Sequence, residues 1–592
     1  MIAVTGAGII SAIGKNKQQT LNALLEERSG IDEMKILDSV HRELPVGEVK
    51  MTNQEMCDKL GIKDSLISRT SLMGIIAIKE ALNDAGKFMD GDKVALISGT
   101  TVGGMDQTER YYPNYDSGYL NVHFCGSSTD AMAEYFSGLF DFVSTTSTAC
   151  SAAANSIILG ARMIEHGLID VAVVGGSESL SKYHLNGFNS LMILDHAPCK
   201  PFDKNRNGLN LGEGAAFIVL ESEEHAKKRN AKPMGFLRGW GNRCDAFHQT
   251  ATSENGEGAY LAMSDALRKA DMQPRDIQYI NAHGTATQNN DASEVNAIKR
   301  VFGESLPKVS STKSFTGHTT SASGSIEAVI CLLALQHGFI PANLNLEESL
   351  DETFTPVKHT ESTQITNILS NAFGFGGNDS SLIFSRLGGN QKACVAGPRK
   401  VNVVCTVDDF SSIDLAQYIS PLRSRRMDKM LKASLAVSFE ALRIAGIQCP
   451  DAIFAATAYG CMGNTDKFLK EMLENGEEEM SPTAFMQSTH NTIGSTVAIE
   501  TKCHGYNITY SHLQDSENWA LLDACMQLQK GVISNALVLV SDMLPDNWRE
   551  WMDESSSLPS SKNVKAIVLS NENGTGESVS VDSILSKLVK KV

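Results

Sequence analysis

Short runs of branched apolar residues alternate along this chain with longer stretches whose apolar positions recur at helical spacing. Residues 94–98 (VALIS) and 171–174 (VAVV) read as strands, and residues 71–85 read as a helix. That alternation, repeated over most of the length, predicts an α/β fold of largely parallel sheets covered by helices. After a strand-like run at 382–385, the segment 388–400 (GGNQKACVAGPRK) is rich in glycine and polar residues, so a domain boundary is placed there.

Beyond that boundary the pattern repeats. The helix end ALNDAG at 81–86 recurs as ALRIAG at 441–446, and VALISGTTVGG recurs loosely as DAIFAATAYGC. Residues 164–178 lie over residues 528–542, with Gly167 matching Gly531 at an offset of 364 (531 − 167). The last ~190 residues therefore read as a shortened copy of the first ~240.

The length of 592 residues allows three or four units, and 42% hydrophobic with 20% charged residues indicates a globular chain. The net charge of −17 argues against a nucleic-acid protein, which needs a basic stripe. It also means that an acidic partner must dock on a local basic patch. No apolar run is long enough to span a membrane, and the start MIAVTGAGII lacks the features of a signal peptide. Twelve cysteines without a CxxC pair read as reduced thiols in the cytoplasm, not as a zinc or disulfide framework.

Four segments carry candidate chemistry. In 144–156 (STTSTACSAAANS), a small-residue strand runs into Cys150 and a helix follows. A helix N-terminus favours thiolate, so a lowered thiol pKa is expected. A lone cysteine there would more often be structural. Two histidines change the balance: His283 in NAHGT and His318 in TGHTT each sit at a glycine-bracketed strand-to-helix turn. In α/β sheets such turns hold ligands. Lys313 lies five residues before His318, and Asp291 and Glu294 open the helix after His283. The fourth segment, NAFGFGGND at 371–379, has three glycines within four positions, too many for a strand. It reads as a loop that approaches something closely, with an N–H and an aromatic gate at Phe375. VTGAGIISAIG could pass for a dinucleotide loop, but Ser11 replaces its third glycine, and nicotinamide binding is set aside.

The order Cys…His…Lys-x-x-x-x-His…GFGG, with VTGAGIISAIG and PFDKNRNGLNLGEGAA, resembles the β-ketoacyl synthases of the thiolase superfamily over residues 1–388. The resemblance implies a thiolase-like fold, layered α-β-α-β-α from two duplicated lobes, here with a third partial lobe. The lobes are placed at 1–240, 241–388 and 401–592, with a linker at 389–400. The resemblance also implies decarboxylative Claisen condensation with malonyl-acyl carrier protein, without metal or cofactor, and a homodimer with a continuous sheet across the interface. Cys150 becomes the nucleophile, and His283 and His318 become donors to the malonyl thioester. Lys313 and Glu327 order the histidines, and Glu294 is structural. The backbone N–H groups of Cys150 and Phe375 become the oxyanion hole. Lys200, Lys204 and Arg206 are candidates for docking the acidic carrier. One departure is GFGGND in place of the family's usual GFGGTN.

At offset 364, Cys150 falls on Gln514 (514 − 150). Glutamine cannot form a thioester, and it commonly replaces the cysteine in chain-length factors, so the third lobe is expected to be inactive. A synthase of polyketide or aryl-polyene metabolism is the first expectation. A housekeeping fatty-acid elongation enzyme is the alternative. A biosynthetic thiolase fits less well, because His318 stands where a second cysteine would be. A non-catalytic scaffold is the reading from another class.

Overall fold

The computed structural model describes residues 1–388, 398–553, 562–572 and 577–589. Most of the linker placed at 389–400 lies outside the described residues.

Three lobes share one strand order. In the first, the order from one edge is Phe142–Thr146, Val94–Gly99, Val171–Glu178, Gly214–Ser222 and Ile2–Ser11. In the second it is Lys308–Ser310, Tyr279–Asn281, Asn367–Gly374, Asn378–Ser385 and Gly235–Cys244. In the third it is Tyr506–Tyr510, Ala452–Ala456, Asn535–Met543, Lys562–Ser570 and Val401–Val407, with the short strand Ser578–Val579 at the outer edge. The first three strands of each lobe run parallel, and the fourth and fifth pair antiparallel. All sixteen strands form one hydrogen-bonded ladder. The strand Gly235–Cys244 runs through the boundary set at 240, because its partners Asn378–Ser385 belong to the second lobe.

Helices Ala152–Glu165 and Ser323–His337 lie between the sheets of the first two lobes and pack on each other. Ser323–His337 is apolar nearly all round, as a helix with no solvent face must be. Outside them, Arg69–Ala85 covers the first sheet and Glu257–Ala270 the second. Gly6 and Gly8 sit within the first strand, not in a nucleotide loop. A Cβ at either would stand 2.3 or 2.0 Å from the carbonyls of Ala81 and Ala77, so these glycines let helix Arg69–Ala85 close on the sheet.

The third lobe joins the first edge to edge. Tyr510 pairs antiparallel with Thr146, Ser147 N donates to Thr509 O at 2.9 Å, and Ser511 N donates to Thr145 O at 2.9 Å. The two bonds exchange residues that correspond in the repeat, so the junction has local two-fold symmetry. The sheet continuity expected between two chains is thus formed inside one. Arg162 and Asp523 form a buried ion pair across the junction, and Tyr506 and Tyr510 both donate to the Asp523 carboxylate. Helix Lys429–Ala445 is the third lobe's counterpart of Arg69–Ala85, and both are 17 residues long. The amphipathic helix Val581–Leu588 packs against Ser516–Gln529. Among the described residues no helix is long and apolar enough to cross a membrane.

Candidate active site

Cys150 lies in a one-turn 3-10 segment, Ala149–Ser151, between strand Phe142–Thr146 and helix Ala152–Glu165. Ala149 has φ +49°, a left-handed conformation costly for a residue with a Cβ. The matching turns repeat it, with Thr320 at +44° in the second lobe and Leu513 at +45° in the third. Gln514 therefore occupies the backbone position of Cys150, but its side chain is exposed.

Cys150 is 5% exposed, and its Sγ is 3.1 Å from His318 Nε2. His318 Nδ1 is 3.1 Å from Ser323 Oγ. The His283 ring stands edge-on to His318, with centroids 5.4 Å apart and planes at 84°. Lys313, 2% exposed, places Nζ 2.5 Å from Glu327 Oε1 and 3.3 Å from His283 Nδ1. A lysine donating to Nδ1 leaves the proton of a neutral His283 ring on Nε2. Glu294 accepts from His283 N at 2.9 Å, Gly284 N at 2.8 Å and Asn371 Nδ2 at 3.0 Å, so it braces the turn. Cys150, His283, His318 and Lys313 thus come together, with Glu327 and Glu294 behind them.

The GFGG segment forms the last wall. Gly374 ends strand Asn367–Gly374, and a Cβ there would stand 2.7 Å from Thr148 O. Only glycine lets this loop reach the nucleophile's turn. The Phe375 ring stacks on Phe188, with centroids 5.6 Å apart, and its backbone N–H reaches the Cys150 sulfur.

Burial pushes the Cys150 thiol up to about 12, against the opposing pull of the Lys313 charge and the backbone N–H groups of Phe375 and Cys150. The lowered pKa expected from the helix N-terminus is therefore not found. A helix end contributes at most about 2 kcal/mol, and desolvation of a fully buried thiolate exceeds it. Burial, reinforced by the Lys313 charge, holds both His283 and His318 well below the usual imidazole range, so both rings are neutral at pH 7. Burial also raises the carboxyls of Glu294 and Glu327 to about 7.

Asp379 follows the GFGG loop. Burial, then Asp245 and Glu294, push its carboxyl well above the usual range, and its Oδ1 has no hydrogen-bond partner. A carboxyl raised in the folded state costs no stability below its unfolded pKa of about 4, and costs more as pH rises from there toward the folded value. Asp379→Asn removes the ionisable group and keeps the shape. It is expected to raise stability by on the order of 1 kcal/mol at pH 7 and by nothing at pH 3, as read from denaturant melts at both pH values.

The family model described as "Beta-ketoacyl synthase, N-terminal domain" matches residues 1–226, and the one for the "C-terminal domain" matches residues 234–347. A second N-terminal-domain model matches residues 404–587. The 3-oxoacyl-[acyl-carrier-protein] synthase 2 of Vibrio cholerae is 35% identical over 412 residues, which is 65% of this chain and 99% of that protein. That of Vibrio harveyi is 34% identical over 412 residues, covering 65% and 98%. The chain belongs to the β-ketoacyl synthase family.

Solved structures are similar to the chain as well. A ketosynthase in complex with its chain length factor from Xenorhabdus doucetiae is 29% identical, covers 65% of this chain and 98% of that one, and has a TM-score of 0.58. A structure described as a keto synthase-chain length factor covers 96% of this synthase and 78% of that chain, with a TM-score of 0.79 at 16% identity. It shows that the fold, third lobe included, occurs in a known arrangement.

The structure withdraws one docking candidate. Arg206 is 6% exposed, and its guanidinium donates to the carbonyls of Asp203, Thr287 and Gln288 and lies 3.7 Å from Asp291. It holds the second lobe's helix start and offers no charge to the surface. Lys200 and Lys204 reach the surface, but each pairs with a glutamate, Glu347 at 2.6 Å and Glu348 at 2.8 Å.

Shaping the acyl tunnel is one of two roles that the sequence leaves open to the third lobe, but the sequence does not reveal the residues that do so. Tyr459, Met462, Phe485 and His490 line the cavity beside Cys150 together with Phe188 and Phe375. A Cβ on Gly187 would strike the Phe485 ring at 2.2 Å, so this glycine admits the third-lobe phenylalanine to the wall. No local signal marks these residues, because their role exists only across the lobe junction. For a metal, the described residues group Asp92, Asp170 and His225. Both His225 ring nitrogens already meet carboxylates, Glu221 at 2.6 Å and Asp92 at 3.0 Å, which raise its pKa above the usual imidazole value against the opposing effect of burial. That group is an ion network.

Proposed function

We propose that this chain condenses an acyl thioester held on Cys150 with a malonyl thioester delivered by acyl carrier protein. The observation that carries the reading is the convergence of three groups on one buried sulfur: the neutral imidazole of His318, with His283 beside it, and the Phe375 N–H.

Cys150 starts as a thiol. As it attacks the acyl carbonyl, His318 Nε2 takes its proton; collapse of the tetrahedral species breaks the carrier C–S bond, His318 returns the proton to the departing carrier thiolate, and an acyl-cysteine is left. The Cys150 and Phe375 N–H groups hold the oxyanion. The malonyl thioester then enters, its carbonyl oxygen meeting N–H donors from His283 and His318, and loses CO₂. The resulting enolate carbon attacks the acyl-Cys150 carbonyl, and the cysteine leaves. The products are 3-oxoacyl carrier and CO₂, and the departing Cys150 thiolate takes up one proton from solvent to return as the thiol. His283 donates to the developing enolate from Nε2–H; His318, whose Nε2 accepts the thiol proton in the first half-reaction, donates in the second with its ring proton moved from Nδ1 to Nε2.

The third lobe has glutamine in place of the nucleophile, and it walls the acyl cavity. That is a chain-length-factor-like role, and it favours polyketide or aryl-polyene metabolism over housekeeping fatty-acid elongation, for which the third lobe has no evident use. Unpaired cysteines throughout the described residues suit a reducing, cytoplasmic setting. The acidic carrier would be steered by local basic groups, with Lys200 and Lys204 as the remaining candidates.

Carrier-bound, radiolabelled malonyl is the test. Release of labelled CO₂ and formation of 3-oxoacyl carrier are expected. Absence of both, with purified folded protein, leaves a non-catalytic scaffold.

A further inference from the structure

The loop at 374–378 brings an oxyanion donor to Cys150 from outside the cysteine's own turn. Its glycines at 376 and 377 adopt φ of +81° and +75°, so the loop has little intrinsic preference for one shape and must be held. The second lobe holds its far side: Gly376 N donates to Gln249 O at 2.7 Å, and Asp245 N donates to Gly377 O at 2.8 Å. The Phe375 carbonyl, adjacent to the catalytic N–H, is held from elsewhere. It accepts from Asn491 Nδ2 at 2.7 Å.

Asn491 belongs to the third lobe and is 0% exposed. It is the N-cap residue of helix Thr492–Thr501, yet its side chain makes no capping bond. Asparagine is favoured at that position because its oxygen caps the first turn. Here Oδ1 has no partner, and the amide is turned to the gate loop, where Nδ2 also approaches Asn378 Oδ1 at 3.4 Å. The next turn of the same helix reinforces the contact. A Cβ on Gly376 would stand 2.7 Å from Ser495 Oγ and 2.9 Å from Asn491 Nδ2, so loop and helix meet without room for a side chain.

We infer that Asn491 is a positioning residue for the oxyanion hole: the lobe without a nucleophile holds the second lobe's Phe375 N–H over the first lobe's cysteine. The inference rests on the condensing reading above. It gives the third lobe a part in the acyl-transfer step itself, separate from the walling of the cavity.

The test separates the two half-reactions in the full chain. Asn491→Asp keeps the shape but replaces the donor with an acceptor facing the Phe375 carbonyl. It is expected to slow acylation of Cys150 by acyl carrier, in single turnover, by about 10- to 100-fold, since loss of a whole oxyanion donor costs about 10²–10³. KM for the acyl carrier and the rate of malonyl decarboxylation should stay within about twofold, because neither uses that donor. Asn491→Ala, which only removes atoms, should move the same way and decides the matter if the aspartate variant does not fold. Folded variants that acylate at the wild-type rate would overturn the inference, and so would an equal fall in acylation and decarboxylation. A wild-type chain inert in both half-reactions would sink the condensing reading, and this inference with it. An active wild type with unaffected variants sinks this inference alone.

Discussion

Cys150→Ala is expected to abolish condensation, lowering 3-oxoacyl carrier formation by more than about 10³-fold while leaving the chain folded. The sulfur is the only nucleophile at the centre of the donors described above. The turn that presents it is held by backbone and not by the side chain: Ser151 N donates to Thr148 O, and Ser151 Oγ donates to the same carbonyl at 2.9 Å. Removing one buried sulfur therefore leaves the turn, the two histidines and the Phe375 N–H in place. Decarboxylation of malonyl carrier should persist in this variant, because the groups that stabilise the enolate are untouched. Product formation by chromatography, with labelled CO₂ counted alongside, separates the two results. Residual condensation near the wild-type rate would place the nucleophile elsewhere.

His318→Ala is expected to lower malonyl decarboxylation by about 10²–10³-fold, the cost of losing one preorganised donor to a developing oxyanion. The sequence alone implied only this effect. The 3.1 Å contact between His318 Nε2 and Cys150 Sγ adds a second. With the thiol pushed up to about 12, some group must take its proton during acyl transfer, and His318 is the ring in place to do so. Acylation of Cys150 should therefore also slow, by about tenfold or more. Its rate should rise with pH in the variant, as thiolate forms without assistance. Rapid-quench measurement of acyl-enzyme across pH 7–10 checks this. An acylation rate unchanged by His318→Ala would remove the histidine from the first half-reaction.

The catalytic segments were legible because each is local. The small-residue turn at Cys150 and the glycine-bracketed turns at His283 and His318 announce themselves within a dozen residues. The repeat was legible for the same reason, and the offset that pairs Cys150 with Gln514 also pairs the left-handed turns at Ala149 and Leu513. What depends on the lobe junction was not legible. Phe485, His490 and Asn491 lie more than 100 residues from the site they serve, in a segment that looks like an inactive copy. Arg206 misled because a run of basic residues reads as surface, whereas its guanidinium is spent on three backbone carbonyls. The thiol pKa misled because the helix end is visible in sequence and the depth of burial is not.

The junction also gives the third lobe a physical reason to stay. Trp519 is fully buried, and its Nε1 donates to Val143 O of the first lobe at 3.1 Å. Replacing either Arg162 or Asp523 alone would leave the other as an uncompensated buried charge in the junction, a loss of about 3–5 kcal/mol. If the lobes parted, the nucleophile's strand would have an open edge, and the acyl cavity would lose a wall.

The central claim is that acyl chains are carried on Cys150 within a cavity closed by the third lobe. Peptide mass spectrometry after incubation with acyl carrier tests it most directly. The acyl mass should appear on the tryptic peptide that contains Cys150 and be released by hydroxylamine, as a thioester is. An acyl mass on any other cysteine, or none under conditions that yield product, would contradict the account.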